Sequence, residues 1–550
     1  MISHVECKGY RSLEFVSVPC DRLTALVGPN GAGKTSILSA IDLVLGPRWP
    51  TLGSLHVPYD FTGFNAARGV EIAVTFDPPL SHQDILGTAH DVPTLVFHCR
   101  QYKRSGKWGE AGDLHADLEA RGSNGVAPMV AIGRGAGGKP EFRPLAVGTA
   151  LRDQARVLHV DHRRSLAQHL PSARGSALAR LLASARKQFE EDASDAVGRA
   201  AFAERYQAAM DALRTDRVSE IEDTIAQTAR RMVGFLGSRT LADVDIRFGF
   251  ADPANPFNSL RLEYREGELV VPGEQLGLGV QSAIVVGVFE ALRRLGEPVG
   301  TVIVEEPEMY LHPQAQRYFF RLLAELADDG EAQVIYSTHS PVFADAGRYE
   351  SIRLVRRGAG ATSRVSYVSD PQDRSFLDRQ RAAQKLVIGF TASRNEMFFA
   401  RKVLLVEGPG DQLAVGVVAK RLGFDLDGED LTVVECGGKS AIPFYARVCA
   451  ALGIEYAVLH DEDLYAVEGS GEGQMRTRAE NSREEETNAK IAAAVGGSDR
   501  IFILAPSLEA TLGIGRGATD KPRRVAEALD TLDEGSFPAP LIAAIHALFA

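Results

Sequence analysis

The chain has 550 residues, 45% hydrophobic and 24% charged, which is room for more than one globular domain. A formal net charge of −11 excludes a protein held to nucleic acid by its overall charge and leaves only local basic surface for that task. No apolar run reaches the ~20 residues of a membrane helix, the polar His4, Glu6 and Lys8 read against a secretory signal, and Cys7, Cys20, Cys99, Cys436 and Cys449, with no CxxC pair, read as reduced thiols of a cytoplasmic protein.

Met1–Leu26 alternates apolar and polar residues as a hairpin does, with Val5, Phe15, Val16 and Val18 as markers. Its last strand, Leu23–Val27, runs into Gly28-Pro29-Asn30-Gly31-Ala32-Gly33-Lys34-Thr35-Ser36. Ile37, Leu38, Ile41, Val44 and Leu45 then recur at helical spacing and predict a helix over Thr35–Leu45. Val70–Phe76 and Leu95–Arg100 read as strands, and the glycine- and charge-rich stretch Gly106–Pro144 as loops or short hairpins. From Ser165 to Leu236 many Ala, Leu and Arg residues and few prolines predict helices, whose apolar stripes would bury against this domain or a second subunit. Strands follow at Val244–Phe250 and Leu260–Tyr264, then an apolar helix Ala283–Leu292 and strands Thr301–Val304 and Val334–Tyr336. Ser369–Ser393 reads as a charged helical connector. Beyond Phe398 the order is strand Val403–Val406, helix Gln412–Leu422, strand Leu431–Glu435, helix Ala441–Leu452, strand Tyr456–Leu459, an alternation that implies a mostly parallel sheet. The basic stretches Arg100–Lys107, Arg163-Arg164 and Lys521–Arg524 each read as solvated faces when taken singly.

The glycine-rich segment matches the phosphate loop GxxxxGK[ST] in its required strand–loop–helix setting. Gly28, Asn30, Gly31 and Gly33 let backbone N–H groups turn onto phosphates, Lys34 reaches the β- and γ-phosphates, and Thr35 with Ser36 opens the helix and supplies a magnesium ligand. These residues predict an ATP site. Downstream, Gly277-Leu278-Gly279-Val280-Gln281-Ser282 resembles the signature motif of ABC-type ATPases, and the resemblance implies that Gly279 and Gln281 cap the γ-phosphate held by a second subunit. Thr301–Val304 ends in Glu305, Glu306, Pro307 and Glu308, which resembles a Walker B strand. Glu305 then stands where the family has its magnesium-orienting Asp, and Glu306 where it has the general base. Val334–Pro341 resembles the switch region, with His339 as γ-phosphate sensor.

A second site is predicted past residue 398. Glu407 follows four apolar residues and precedes Gly408, so it closes a strand, and Asp461 and Asp463 also follow an apolar strand. Acids gathered at the C-terminal edge of an α/β sheet repel one another unless a divalent cation holds them, and hard oxygen ligands favour magnesium or manganese. The pattern resembles the Toprim domain of topoisomerases, primases and some nucleases.

An ABC-type ATPase followed by a Toprim domain resembles the OLD (overcoming lysogenization defect) family of ATP-dependent nucleases. Phe398-Phe399-Ala400 leading into Val403–Glu407, Asp411 one helical turn on, Gly437-Gly438-Lys439, and the late Glu509 and Lys521 carry the likeness further. The resemblance implies a two-metal site of Glu407, Asp411, Asp461, Asp463 and Glu509 completed by Lys521, two magnesium or manganese ions there and one with ATP, DNA as substrate, and a homodimer. It also implies an α/β chain divided into ATPase (1–164), helical dimerisation insertion (165–240), ATPase again (241–370), connector (371–397) and Toprim nuclease (398–550). The reading is an ATP-regulated, metal-dependent DNA endonuclease or nickase, in phage defence or DNA repair. Two alternatives stand beside it: an ATP-driven DNA-binding scaffold, and an ATPase sensor that holds or releases another protein. The full set of carboxylates weighs against the scaffold, because binding a polyanion needs no clustered acids.

Overall fold

The computed structural model describes residues 1–101, 114–134, 139–155, 157–161, 215–234, 245–250, 260–266, 269–294, 300–330, 332–358, 362–383, 392–467, 472–515 and 519–549, with 182, 212 and 360 besides. Arg163-Arg164, most of Arg100–Lys107, most of the helical insertion and residues 384–391 of the connector lie outside the described residues. The chain forms two compact units. The first takes Met1–Leu26, Asn30–His339 and Val355–Val365; the second takes Val27–Pro29, Ser340–Leu354 and Ser366–Ala550.

In the first unit an antiparallel sheet runs, edge to edge, Leu13–Pro19, Ile2–Tyr10, Val70–Gln83, Ala89–Gln101 and Leu114–Arg121. Alternation sets its inner face: Val5, Cys7, Ile72, Val74, Leu95 and Phe97 are buried and pack with Ile37, Leu38, Ile41 and Leu45 of the helix Lys34–Leu45. Each such side chain contributes ~1.5–3 kcal/mol by leaving water. The helix stops at Gly46, whose N–H donates to Asp42 O at 2.7 Å, and buried Arg152 donates to Val44 O at 2.8 Å. A six-stranded sheet runs Ser363–Ser366, Ile352–Arg357, Leu23–Val27, Ala332–Thr338, Gly300–Glu305 and Val157–Val160. The strands Leu23–Val27 and Ala332–Thr338 are buried at every residue, as in parallel sheets covered on both faces.

Three expectations shift in detail. The strand expected at Val70–Phe76 continues to Gln83, because its pairing resumes at Leu80 beyond the Asp77-Pro78-Pro79 interruption where the sequence pattern breaks. The helix expected at Ala283 begins at Leu278, since Gly277 O already accepts from Val280 N and Gln281 N; the signature-like motif is the first turn itself. Within the expected insertion, Asp216–Gly234 is an amphipathic helix burying Val218, Ile221, Ile225, Ala229 and Met232. It crosses Leu278–Arg294 so closely that a Cβ at Gly287 would lie 2.9 Å from Ile225 O.

The second unit holds a parallel sheet in the order Leu431–Glu435, Lys402–Val406, Glu455–Asp461 and Ile501–Leu504. Its core joins Leu404, Val406 and Leu459 to Val415 and Val418 of the helix Pro409–Arg421 and to Leu541, Ile545 and Leu548 near the C-terminus. The helix Pro371–Ala383 packs into this unit, with Asp373 3.2 Å from Arg447 of the helix Ile442–Leu452. All five cysteines are free and buried. No helix among the described residues is long and apolar enough to cross a membrane.

Candidate ATP site and candidate metal centre

The phosphate loop has the backbone its glycines predict. Gly28, Gly31 and Gly33 carry φ of 147°, 70° and 110°. At Gly33 the space is also taken, since a Cβ would meet Ser363 Oγ and Ser12 Oγ, so only glycine fits there. Gly31 faces open space, a cradle of backbone ahead of the helix that starts at Lys34, as a bound phosphate requires. Thr35 and Ser36 lie in that helix's first turn.

Lys34 is buried, and its Nζ donates to His339 Nε2 at 2.9 Å; Glu306 Oε1 is 3.5 Å from the same nitrogen. Three residues from three separated motifs therefore converge. Burial lowers the Lys34 ammonium to about 8 against the opposing pull of Glu306 and Glu308. Burial and then Lys34 push His339 down to about 4, so its imidazole is neutral and accepts the Lys34 proton. Glu306 sits at φ 43°, its N–H donating to Ser337 O at 2.9 Å, which turns the acid out of the strand's line. Glu305 is buried at the end of its strand and 3.2 Å from His159 Nε2. Gln281 is buried and its Nε2 donates to Leu276 O at 2.8 Å, tying the glycine turn to its helix; Gly279 is partly exposed.

In the second unit Glu407 directly follows the strand Lys402–Val406, and Asp461 is the last residue of Glu455–Asp461. Parallel register sets Val406 opposite Leu459, so the two acids reach one sheet edge. Asp463 follows at φ 57°, held by its N–H donating to Pro506 O at 2.7 Å. One oxygen from each of Glu407, Asp461 and Asp463 lies within 4.8 Å of the others. Asp411 stands in the first turn of Pro409–Arg421 and accepts from Gly408 N at 3.0 Å, a helix-capping contact that the sequence reading did not include. Glu509 lies in the short helix Leu508–Thr511 and pairs with Lys521 at 3.0 Å; Leu508 N donates to Asp461 Oδ1 at 2.8 Å.

The electrostatics of this edge suit a divalent cation. Burial first, then Asp411 and Asp463, push Glu407 up to about 8. Burial and Glu407 push Asp461 to about 8 despite the Leu508 amide. Burial and Asp461 push Asp411 to about 7 despite the Gly408 amide, with Glu509 adding to the same field. Glu407 Oε2 is buried with no hydrogen-bond partner, which a native interior rarely permits without an ion or water to satisfy it. An all-oxygen set with an orphaned carboxylate oxygen fits magnesium or manganese.

The sequence reading quoted Glu308 and Lys439 within their motifs without giving them contacts, and did not include Glu484. Glu308 Oε1 accepts from His339 N at 2.6 Å and its Oε2 from Thr338 Oγ1 at 2.9 Å, fastening the switch segment to the Walker B turn. Lys439 is buried and reaches Asp463 Oδ2 and Glu484 Oε2, both at 3.1 Å, and Glu462 O at 3.1 Å. Lys439 had a signal in its Gly-Gly-Lys turn. Glu484 had none, being one acid in the run Glu484–Glu486 of the polar helix Glu472–Val495.

A phosphate loop with a Walker B strand in one unit and an acidic parallel-sheet edge in the other define an ATPase joined to a Toprim domain. Residues 1–76 and 163–344 match the family model of an AAA ATPase domain, and residues 398–463 that of the overcoming lysogenization defect protein-like TOPRIM domain. The chain is 49% identical over 550 residues to the OLD nuclease of Thermus scotoductus, covering 100% of this chain and 98% of that one. It is 24% identical over 491 residues to the Old nuclease of Escherichia phage P2, covering 84% of this chain and 77% of that one. The chain belongs to the OLD nuclease family. Among solved structures it is similar to an Smc head with an extended coiled coil bound to a ScpA domain, derived from Pyrococcus furiosus (18% identity, 69% of this chain and 99% of that one, TM-score 0.40), and to the SMC head of Thermotoga maritima (14% identity, 67% and 99%, TM-score 0.30).

Proposed function

We propose that this ATPase-linked nuclease is an ATP-regulated DNA endonuclease or nickase of the cytoplasm, dependent on magnesium or manganese and serving phage defence or DNA repair. The observation that carries the reading is the buried acidic edge, with Glu407, Asp461 and Asp463 within 4.8 Å of one another and Glu407 Oε2 unsatisfied. Glu407, Asp411, Asp461, Asp463 and Glu509 would hold two divalent ions, which supply activation of water and neutralisation of the leaving oxygen. The Leu508 amide fixes the Asp461 carboxylate, and the Gly408 amide fixes that of Asp411, so neither has to be ordered at the moment of reaction. Lys521 stands beside Glu509 with its side chain partly exposed, able to meet a phosphate arriving from solvent.

In the ATPase, Lys34 binds the phosphates, Thr35 the accompanying magnesium, Glu306 takes the proton of the attacking water and neutral His339 reads the γ-phosphate. Gly279 and Gln281 act on the nucleotide of a second copy, in a homodimer joined through the insertion 165–240. The layout we propose is ATPase 1–164 and 241–370, connector 371–397 and Toprim nuclease 398–550. The test is supercoiled plasmid incubated with magnesium or manganese, with and without ATP, comparing wild type with Glu407→Ala. Metal-dependent nicking lost in the variant, with ATP hydrolysis retained, is the expected result. Cleavage that survives Glu407→Ala overturns the assignment.

A further inference from the structure

The Walker B position here carries Glu305 where ABC-type ATPases have a shorter Asp, so an extra methylene has to be placed. The strand Val157–Val160 runs parallel to Gly300–Glu305 with His159 opposite Ile303. Side chains alternate along a strand, so His159, Ile303 and Glu305 project from one face of the sheet, while Val160 and Val304 project from the other. His159 Nε2 lies 3.2 Å from Glu305 Oε1, and its Nδ1 lies 3.3 Å from Asp42 Oδ1 on the helix Lys34–Leu45. One imidazole thus spans the strand that ends in the Walker B acids and the helix that begins at the phosphate loop.

Building on the ATPase reading above, we propose that His159 is a positioning residue of ATP hydrolysis: it holds the long Glu305 side chain in one place and registers it to the phosphate-loop helix through Asp42. Glu305 is 4% exposed, and the His159 contact at 3.2 Å bears directly on how its Oε1 is oriented.

Two amide variants separate the contacts. His159→Gln carries an amide at the distance of Nε2 and keeps the bond to Glu305; His159→Asn carries it at the distance of Nδ1 and keeps only the close approach to Asp42, whose Oδ1 accepts no hydrogen bond among the described residues. The readouts are the magnesium concentration at half-maximal ATP hydrolysis and the binding of a fluorescent ATP analogue with magnesium or with EDTA. His159→Asn and His159→Ala are expected to raise the magnesium requirement about tenfold, the worth of one charged hydrogen bond. Analogue binding in EDTA should stay at the wild-type level, and His159→Gln should restore most of the loss. Shortening the acid by Glu305→Asp should cost far more in wild type than in His159→Ala. Equal behaviour of the Gln and Asn variants, additive double mutants, or weaker analogue binding in EDTA for every variant would each overturn the assignment. If His159→Ala does not fold, the amide pair carries the test, and failure of both amides to fold marks His159 as structural and overturns it too. A wild type without magnesium-dependent hydrolysis would instead sink the ATPase reading itself.

Discussion

Asp461→Asn should make the protein more stable and inactive at once. In the folded chain without metal, burial and then Glu407 raise Asp461 from 3.8 to about 8. The folded state therefore binds a proton that the unfolded chain has already released between these values, and stability falls as pH rises through the window from about 4 to about 8. Taken alone, an acid so raised costs about 4 kcal/mol by pH 7. Glu407 and Asp411 share the same repulsion, so one substitution relieves only part of it, ~1–3 kcal/mol. Asn keeps an oxygen to accept the Leu508 N–H, which at 2.8 Å is the contact most at risk. For a unit of about 200 residues this corresponds to a melting temperature higher by roughly 3–10 °C. The assay is thermal denaturation in EDTA across pH 5 to 8, with and without manganese. The gap between variant and wild type should widen with pH in EDTA and close when manganese stabilises the wild type alone. A variant that melts at or below wild type in EDTA near pH 8, or a gap indifferent to pH, would refute the reasoning that these acids are held together against their own repulsion.

Manganese binding near pH 6.5 should release between two and three protons, because three acids raised to about 7 and 8 must ionise to ligate; calorimetry in buffers of different ionisation heat measures this, and a buffer-independent heat contradicts it. Glu306→Gln should still bind ATP and slow steady-state hydrolysis by about 10²–10³-fold, the loss of a general base; unchanged turnover would move that role elsewhere. Glu308→Ala removes the acceptor for both the His339 amide and the Thr338 hydroxyl. It should lower ATP turnover more than nucleotide affinity, with faster amide exchange confined to the switch segment, whereas wild-type exchange there would remove the fastening role.

The phosphate loop was legible because its parts are contiguous: the turn at Gly31 and Gly33 and the helix at Lys34 follow from backbone freedom and short-range spacing, whatever packs around them. Glu407, Asp461 and Asp463 were legible for a related reason, each standing at or just past the end of an apolar strand. Their charge states were not, since these depend on which acids share one edge once parallel strands align Val406 with Leu459. The Lys439 bridge to Glu484 and the His159 contact with Glu305 were likewise invisible to local pattern, whereas the capping bond of Asp411 to Gly408, three residues apart, was a local signal left unread. His159 is 146 residues from Glu305 in the chain and meets it only because two parallel strands pair in one register. Sequence alone determined the local backbone shapes and the chemical types they display. Tertiary packing decided which of those groups lost water and which faced each other, and that choice sets their charge and reach.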